Sequence, residues 1–153
     1  VTYILLYRTW NQLRTILGLQ QSYPQYLTDS LGDPDSKASR WAQQALHELI
    51  TTLQGKGIAV GIALFPLCRS DMGAYELDFL HERVLDECRR DRITCLDLRA
   101  AYSAFAGRME ELQASSLDGH PSKVAHRIAA EQIVGTFGPI WRDAAAKNRD
   151  KRN

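Results

Sequence analysis

Residues 58–65 read Ile-Ala-Val-Gly-Ile-Ala-Leu-Phe, an unbroken apolar run closed off by Gly57 and Pro66. A run of that length between such punctuation is a strand, and a strand with no polar face must be covered on both sides. Parallel sheets meet that condition, because the helices that cross between their strands pack on the two faces. A second short segment, Ile93 to Leu98, reads Ile-Thr-Cys-Leu-Asp-Leu. The sequence therefore predicts an α/β chain with two adjacent parallel strands, near 58–65 and 93–98.

Helical periodicity fills the intervals. Tyr3, Leu6, Trp10, Leu13 and Leu17 recur at spacings of three and four and predict a helix over about 3–17, ended by Gly18. Leu19 to Gly32 reads as a loop, either walling an apolar pocket with Tyr23 and Tyr26 or crossing the surface with both tyrosines tucked onto the core. Asp33 as N-cap and Pro34 at the first position start a helix near 34–54. Its expected buried stripe is Trp41, Ala45, Leu46, Leu49 and Leu53, and Gly55-Lys56-Gly57 stops it. A helix near 74–90 turns Leu77, Leu80, Val84, Leu85 and Cys88 inward. Residues 100–112 read as helix or broken helix. A last helix, from Pro121 to about Phe137, presents Val124, Ile128 and Val134. Sheets of this kind bind ligands beyond the C-terminal ends of their strands, which here means the loops at 66–73 and 99–120.

The second of those loops holds the candidate chemistry. Ser115-Ser116-Leu117-Asp118-Gly119-His120-Pro121-Ser122 puts a carboxylate and an imidazole two residues apart. Gly119 permits a tight turn, and Pro121 suits the start of a helix. Asp118 and His120 are thus candidates for a general base and the group that orients it; the plainer alternative is that they cap the helix that follows. Other candidates are weaker. His47-Glu48 and His81-Glu82 each begin like a zinc-binding H-E-x-x-H, but Thr51 and Leu85 stand where the second histidine belongs, so both histidines read as exposed helix residues. His126 reads as packing behind the turn, Arg69 and Asp71 as solvated loop charges. Asp97 reads as the cap of the next helix, or as a carboxylate that orients a catalytic group, including the ring of His120.

Composition narrows the class. A net charge of +1 over 153 residues argues against nucleic-acid binding. Cys68, Cys88 and Cys95 form an odd set without C-x-x-C, so neither a disulfide framework nor a zinc site is expected, and Cys88 and Cys95 read as small core residues. No apolar run is long enough to span a membrane. Residues 142–153 read as a polar tail after one domain portion, 1–141. The chain starts at Val1 without Met, which suggests a piece of a longer protein.

The block Asp118-Gly119-His120-Pro121-Ser122, followed by Ala125 and His126, resembles the last motif of the SGNH (GDSL-type) hydrolases. The resemblance covers roughly residues 35–137, and the motif is its specific part. It implies a three-layer α/β/α, flavodoxin-like sheet of five parallel strands in the order 2-1-3-4-5, with 58–65 and 93–98 as the fourth and fifth. It also implies that Asp118 and His120 belong to a Ser-His-Asp triad, although the usual family spacing is D-x-x-H and here it is D-x-H. The family's G-D-S nucleophile block and its G-x-N-D block are not in the chain, whose asparagines are Asn11, Asn148 and Asn153. There is no G-x-S-x-G either, and Ser115, Ser116 and Ser122 do not read as nucleophiles. The implied function is that of an ester hydrolase whose serine comes from a missing N-terminal half. The alternatives are an SGNH-like O-acetyltransferase and a non-catalytic α/β binding or interaction domain. No metal or organic cofactor is expected, and the substrate would be a small ester or an acylated carbohydrate or lipid.

Overall fold

The computed structural model describes residues 10, 13–14, 17–68, 75–115 and 118–150. The chain divides into two compact units, Val1–Trp41 and Ala42–Asn153. The expected helix over 3–17 lies largely outside the described residues, as do Arg69, Asp71 and Ser116.

In the first unit the expected loop is a helix, α1 (Tyr23–Leu31). Ser22 is its N-cap, accepting a hydrogen bond from the Gln25 backbone N–H at 3.2 Å, and Pro24 occupies its first turn. A proline there costs no hydrogen bond, so Ser22 and Pro24 start a helix within the expected loop. Tyr23 and Tyr26 are exposed, so neither is tucked onto a core. Asp33 makes a local turn, accepting from the Asp35 N–H at 2.9 Å, and does not cap the next helix. That role falls to Ser36, whose Oγ accepts from the Ser39 N–H at 3.1 Å ahead of α2 (Lys37–Gly55).

From Ala42 on, α2 buries Ile50 and half-buries Gln43, Leu46 and Leu53, a stripe at spacings of three and four. The expected stripe was rotated: Trp41, Ala45 and Leu49 are exposed. Gly57, at φ +71°, lets the Ile58 N–H turn back to the Leu53 carbonyl and ends the helix.

Strand β1 (Gly61–Leu64) then pairs in parallel with β2 (Thr94–Asp97), Gly61 opposite Thr94 and Leu64 opposite Asp97. The crossover between them carries α3 (Asp78–Asp91). The two parallel strands stand as expected, shorter at both ends. β1 is not sealed on both sides: Ile62, Ala63 and Leu64 are half-buried, and Ile58 and Phe65 are exposed. Among the described residues its one strand neighbour is β2.

After β2 come α4 (Arg99–Tyr102), two 3-10 turns (Ser103–Phe105 and Met109–Leu112), β3 (Gln113–Ser115), β4 (Asp118–Pro121) and α5 (Lys123–Asp150). α5 runs past Phe137 and through Pro139, and residues 142–150 continue it where a polar tail was expected. The core is built from Cys68, Leu98, Tyr102, Met109, Leu112, Ala125 and Ala129. Tyr102 is fully buried and donates its hydroxyl hydrogen to the Ala125 carbonyl at 3.0 Å. Leu96 packs on this core, whereas its neighbour Cys95 is joined to Cys88 of α3. Adjacent strand residues point to opposite faces, so β2 turns one face to α3 and the other to the core under α5. The Cys88–Cys95 disulfide, with Cα atoms 6.1 Å apart, corrects the expectation of two unpaired core cysteines. α5 also meets β1 directly: the Phe137 ring lies where a Cβ on Gly61 would stand. No described helix is long and apolar enough to cross a membrane.

Candidate functional site

Asp118 and His120 do not lie in a turn. They lie in β4, paired antiparallel with β3, Gln113 opposite Pro121 and Ser115 opposite Asp118, with a register irregularity between Gln113 and Ser115. Gly119-His120-Pro121 looks like turn chemistry, but Pro121 ends the strand, where a missing donor is tolerated. The backbone puts positions 118 and 120 two apart in an extended strand, the spacing that shares a face. The Asp118 side chain is outside the described set; His120 is exposed.

The hairpin is fixed at its base. Ser122 donates its backbone N–H to the Leu112 carbonyl at 2.8 Å and its hydroxyl hydrogen to the Glu111 carbonyl at 2.7 Å. The same Oγ accepts from the Val124 and Ala125 N–H groups, each at 3.2 Å, so Ser122 is the N-cap of α5. On the other arm, Gln113 Nε2 donates to the Cys68 carbonyl at 2.7 Å. Cys68 follows the C-terminal end of β1, so the hairpin is tied to the edge of the sheet where ligands bind in open α/β folds. Cys68 itself is buried, and burial pushes its thiol up, which keeps it protonated and a poor nucleophile. His126, expected behind the turn, is exposed on α5.

A second imidazole–carboxylate pair lies at the C-terminal end of β2. His81 Nδ1 is 3.1 Å from Asp97 Oδ1. His81 is only 6% exposed, against the expectation of an exposed helix residue, and the Tyr75 ring meets it edge-on at 5.3 Å between centroids. Asp97 also accepts from the Arg99 backbone N–H at 2.9 Å and from Arg99 Nε at 2.7 Å. Arg99 reaches on to Asp78 and Glu82. Burial alone would raise the Asp97 carboxyl, but the bonds from Arg99 and the neighbouring His81 outweigh it and hold the group below its usual value. Burial would likewise lower Arg99, and its bonds to Asp97, Glu82 and Asp78 raise it instead. Asp97 thus accepts the first N–H of α4, whose N-cap is Leu98, and holds a histidine, but that histidine is His81. The Asp97 oxygens are given to Arg99 and His81. With His81 buried under Tyr75, this network is a brace between α3 and the end of β2.

A third cluster joins α2 to α3. His47 Nδ1 lies 2.9 and 3.0 Å from the two carboxylate oxygens of Asp91 and 3.2 Å from Glu87 Oε1. Glu87 is 1% exposed. The local sequence signal for this cluster was Glu87 and Asp91 four apart on one helix; nothing local brings in His47. No protein-family model matches the chain, and no curated protein or solved structure does so.

Proposed function

We propose that the chain supplies the histidine and aspartate of a serine-dependent ester hydrolase, His120 as general base and Asp118 as the carboxylate that orients it. The observation that carries the reading is the attachment of an exposed His120 to a short hairpin braced against the loop that leaves β1. A general base must be held in place and accessible, and an exposed residue on a paired strand suits both needs. The parallel pair β1–β2, with Cys95 turned to α3 and Leu96 to the core under α5, supports a three-layer sheet of the SGNH kind. The capping alternative loses its main ground, since Ser122 caps α5. On this reading the nucleophile and the oxyanion donors come from outside the 153 residues, and an O-acetyltransferase would use the same base with a sugar or lipid hydroxyl in place of water.

The test is ester hydrolysis by the full-length gene product. His120→Ala should lower kcat/KM by about four orders of magnitude, the scale of losing a triad base, with the melting temperature unchanged. Asp118→Asn should lower it less. Equal turnover of a p-nitrophenyl acyl ester by the His120→Ala protein would end the proposal.

A further inference from the structure

The face shared by α2 and α3 carries a constellation that the proposed esterase chemistry does not use. Gln54 of α2 donates from Nε2 to the backbone carbonyl of Asp91 at 3.1 Å and holds the two helices side by side there. Across that junction one imidazole nitrogen faces three carboxylate oxygens at 2.9, 3.0 and 3.2 Å. A ring nitrogen offers at most one hydrogen, directed along one line, so it satisfies one of the three. Neither Glu87 oxygen receives a hydrogen bond, although the side chain is only 2% exposed; Oε1 faces His47, and Arg90 approaches Oε2. The Asp91 side chain is 5% exposed and, among the described residues, its oxygens meet His47 alone.

The electrostatics of the place ask for a further positive charge. Glu87 and Asp91 are four apart on α3, a like-charge spacing that disfavours the helix. Asp91 ends the helix and Glu87 lies just before its last turn, near the negative end of the helix dipole. Both are taken out of water, where an unpaired carboxylate is costly. Of the two arginines in that turn, Arg89 pairs with Asp86 on the outside and Arg90 serves one Glu87 oxygen.

We propose that His47, Glu87 and Asp91 bind a divalent transition-metal ion of the zinc type. Ligands about 2.0–2.2 Å from such an ion stand about 3 Å from one another at adjacent positions, and the separations of 2.9–3.2 Å from His47 Nδ1 to the carboxylate oxygens match that edge. One ligand atom from each residue lies within 4.8 Å of the others. One imidazole nitrogen with carboxylate oxygens suits zinc, manganese, cobalt or iron, rather than the all-oxygen shells of calcium and magnesium or the thiolates of copper(I). The His47 side chain is 47% exposed, which gives the ion an entry path and leaves positions open to water. The disulfide from Cys88 to Cys95 and the Ile93 N–H bonded to the Cys88 carbonyl hold the end of α3, so two of the three ligands sit on a fixed helix terminus.

This site is independent of the hairpin, and its test needs no ester substrate. The chain is stripped with a chelator and titrated with Zn2+ while its melting temperature is followed, and separately with Co2+ while visible absorption is followed. One equivalent of Zn2+ should raise the melting temperature in a saturable way, since an ion that binds the folded state stabilises it. Co2+ should give a ligand-field band of low coordination number. His47→Ala should weaken Zn2+ binding by more than about tenfold, because even outer-shell groups carry that much, and should abolish the band. Glu87→Gln keeps the shape of the buried side chain and should act in the same direction. His126→Ala, an exposed histidine on α5, should change neither. Absence of a saturable shift with Zn2+, or a shift that survives His47→Ala undiminished, overturns the proposal.

Discussion

His120 and His81 each sit near an aspartate at or beside the C-terminal edge of the same small sheet, yet they are held in opposite ways. His120 is exposed on β4, and the strand that carries it is held by its pairing with β3, the Ser122 cap and the Gln113–Cys68 bond. His81 is buried on α3 and meets Asp97, which is bound by Arg99, which in turn reaches Asp78 and Glu82; the Tyr75 ring stands edge-on to it. An imidazole on an exposed residue is suited to meet a substrate. One enclosed by a satisfied ion network is suited to hold two elements together. The contrast separates a candidate for chemistry from a structural brace, although sequence spacing alone would nominate either.

The largest effect should come from cutting the charged region at its centre. Asp97→Ala removes the partner of His81 and two bonds to Arg99, and leaves both in a largely buried site. Breaking a buried pair from one side costs about 3 kcal/mol or more. His120→Ala, on an exposed strand face, should change stability by no more than about 0.5 kcal/mol. Urea unfolding of the two variants checks both, and comparable losses would erase the distinction drawn between the histidines. The pH dependence follows from the same carboxylate. Its folded-state value lies below the usual one, near 3.8, so its stabilisation is fully present above that pH and is lost as pH falls through the folded value. The gap between wild type and Asp97→Ala should therefore close on acidification below about 3.8, and a gap that stays constant there would contradict the pairing.

A smaller loss is expected where the hairpin side is fastened to the sheet. β4 feeds into α5, and α5 reaches β1 through the Phe137 ring, 2.5 Å from where a Cβ on Gly61 would stand. Gly61→Ala forces a buried ring to move, an overpacking cost of about 1–3 kcal/mol. Gly61→Ala with Phe137→Leu should recover part of it. A Gly61→Ala protein as stable as wild type would mean that α5 does not lie on β1 in this way.

These two regions were also unequally legible in the sequence. The sheet was readable because residues 58–65 carry no polar face and residues 93–98 follow one helix later. The DGHP block was readable as a candidate, but its conformation was not: three and four residues are too short to show a strand's alternation, and Gly119 and Pro121 carry turn chemistry. α1 was hidden for a related reason, since Pro24 after Ser22 reads as a break unless the serine is recognised as a cap. The buried face of α2 is ambiguous in the sequence because apolar residues line two stripes, and only packing chooses Ile50 over Trp41 and Leu49. The charged clusters were out of reach. His81 and Asp97 are 16 residues apart and His47 and Asp91 are 44 apart, and no local pattern links them.

The smallest loss expected among the contacts that fasten the structure is the one that tests how the hairpin is held. Ser122 contributes three things: a cap for the first turn of α5, a hydroxyl bond to the Glu111 carbonyl, and a backbone bond to the Leu112 carbonyl. Ser122→Ala removes the first two and keeps the third. Loss of a cap costs about 1 kcal/mol, and the freed Glu111 carbonyl lies beside exposed residues where water can replace the hydroxyl. The global loss should therefore stay near 1 kcal/mol, below that of Asp97→Ala and Gly61→Ala. Its local consequence is sharper. If the Ser122 hydroxyl helps to hold the strand that carries His120, amide exchange in β4 and in the first turn of α5 should quicken while exchange in α3 does not. Faster exchange spread evenly over α3 and β4 would mean that the hairpin and the charged brace are one unit, and that His120 is held by the same network as His81.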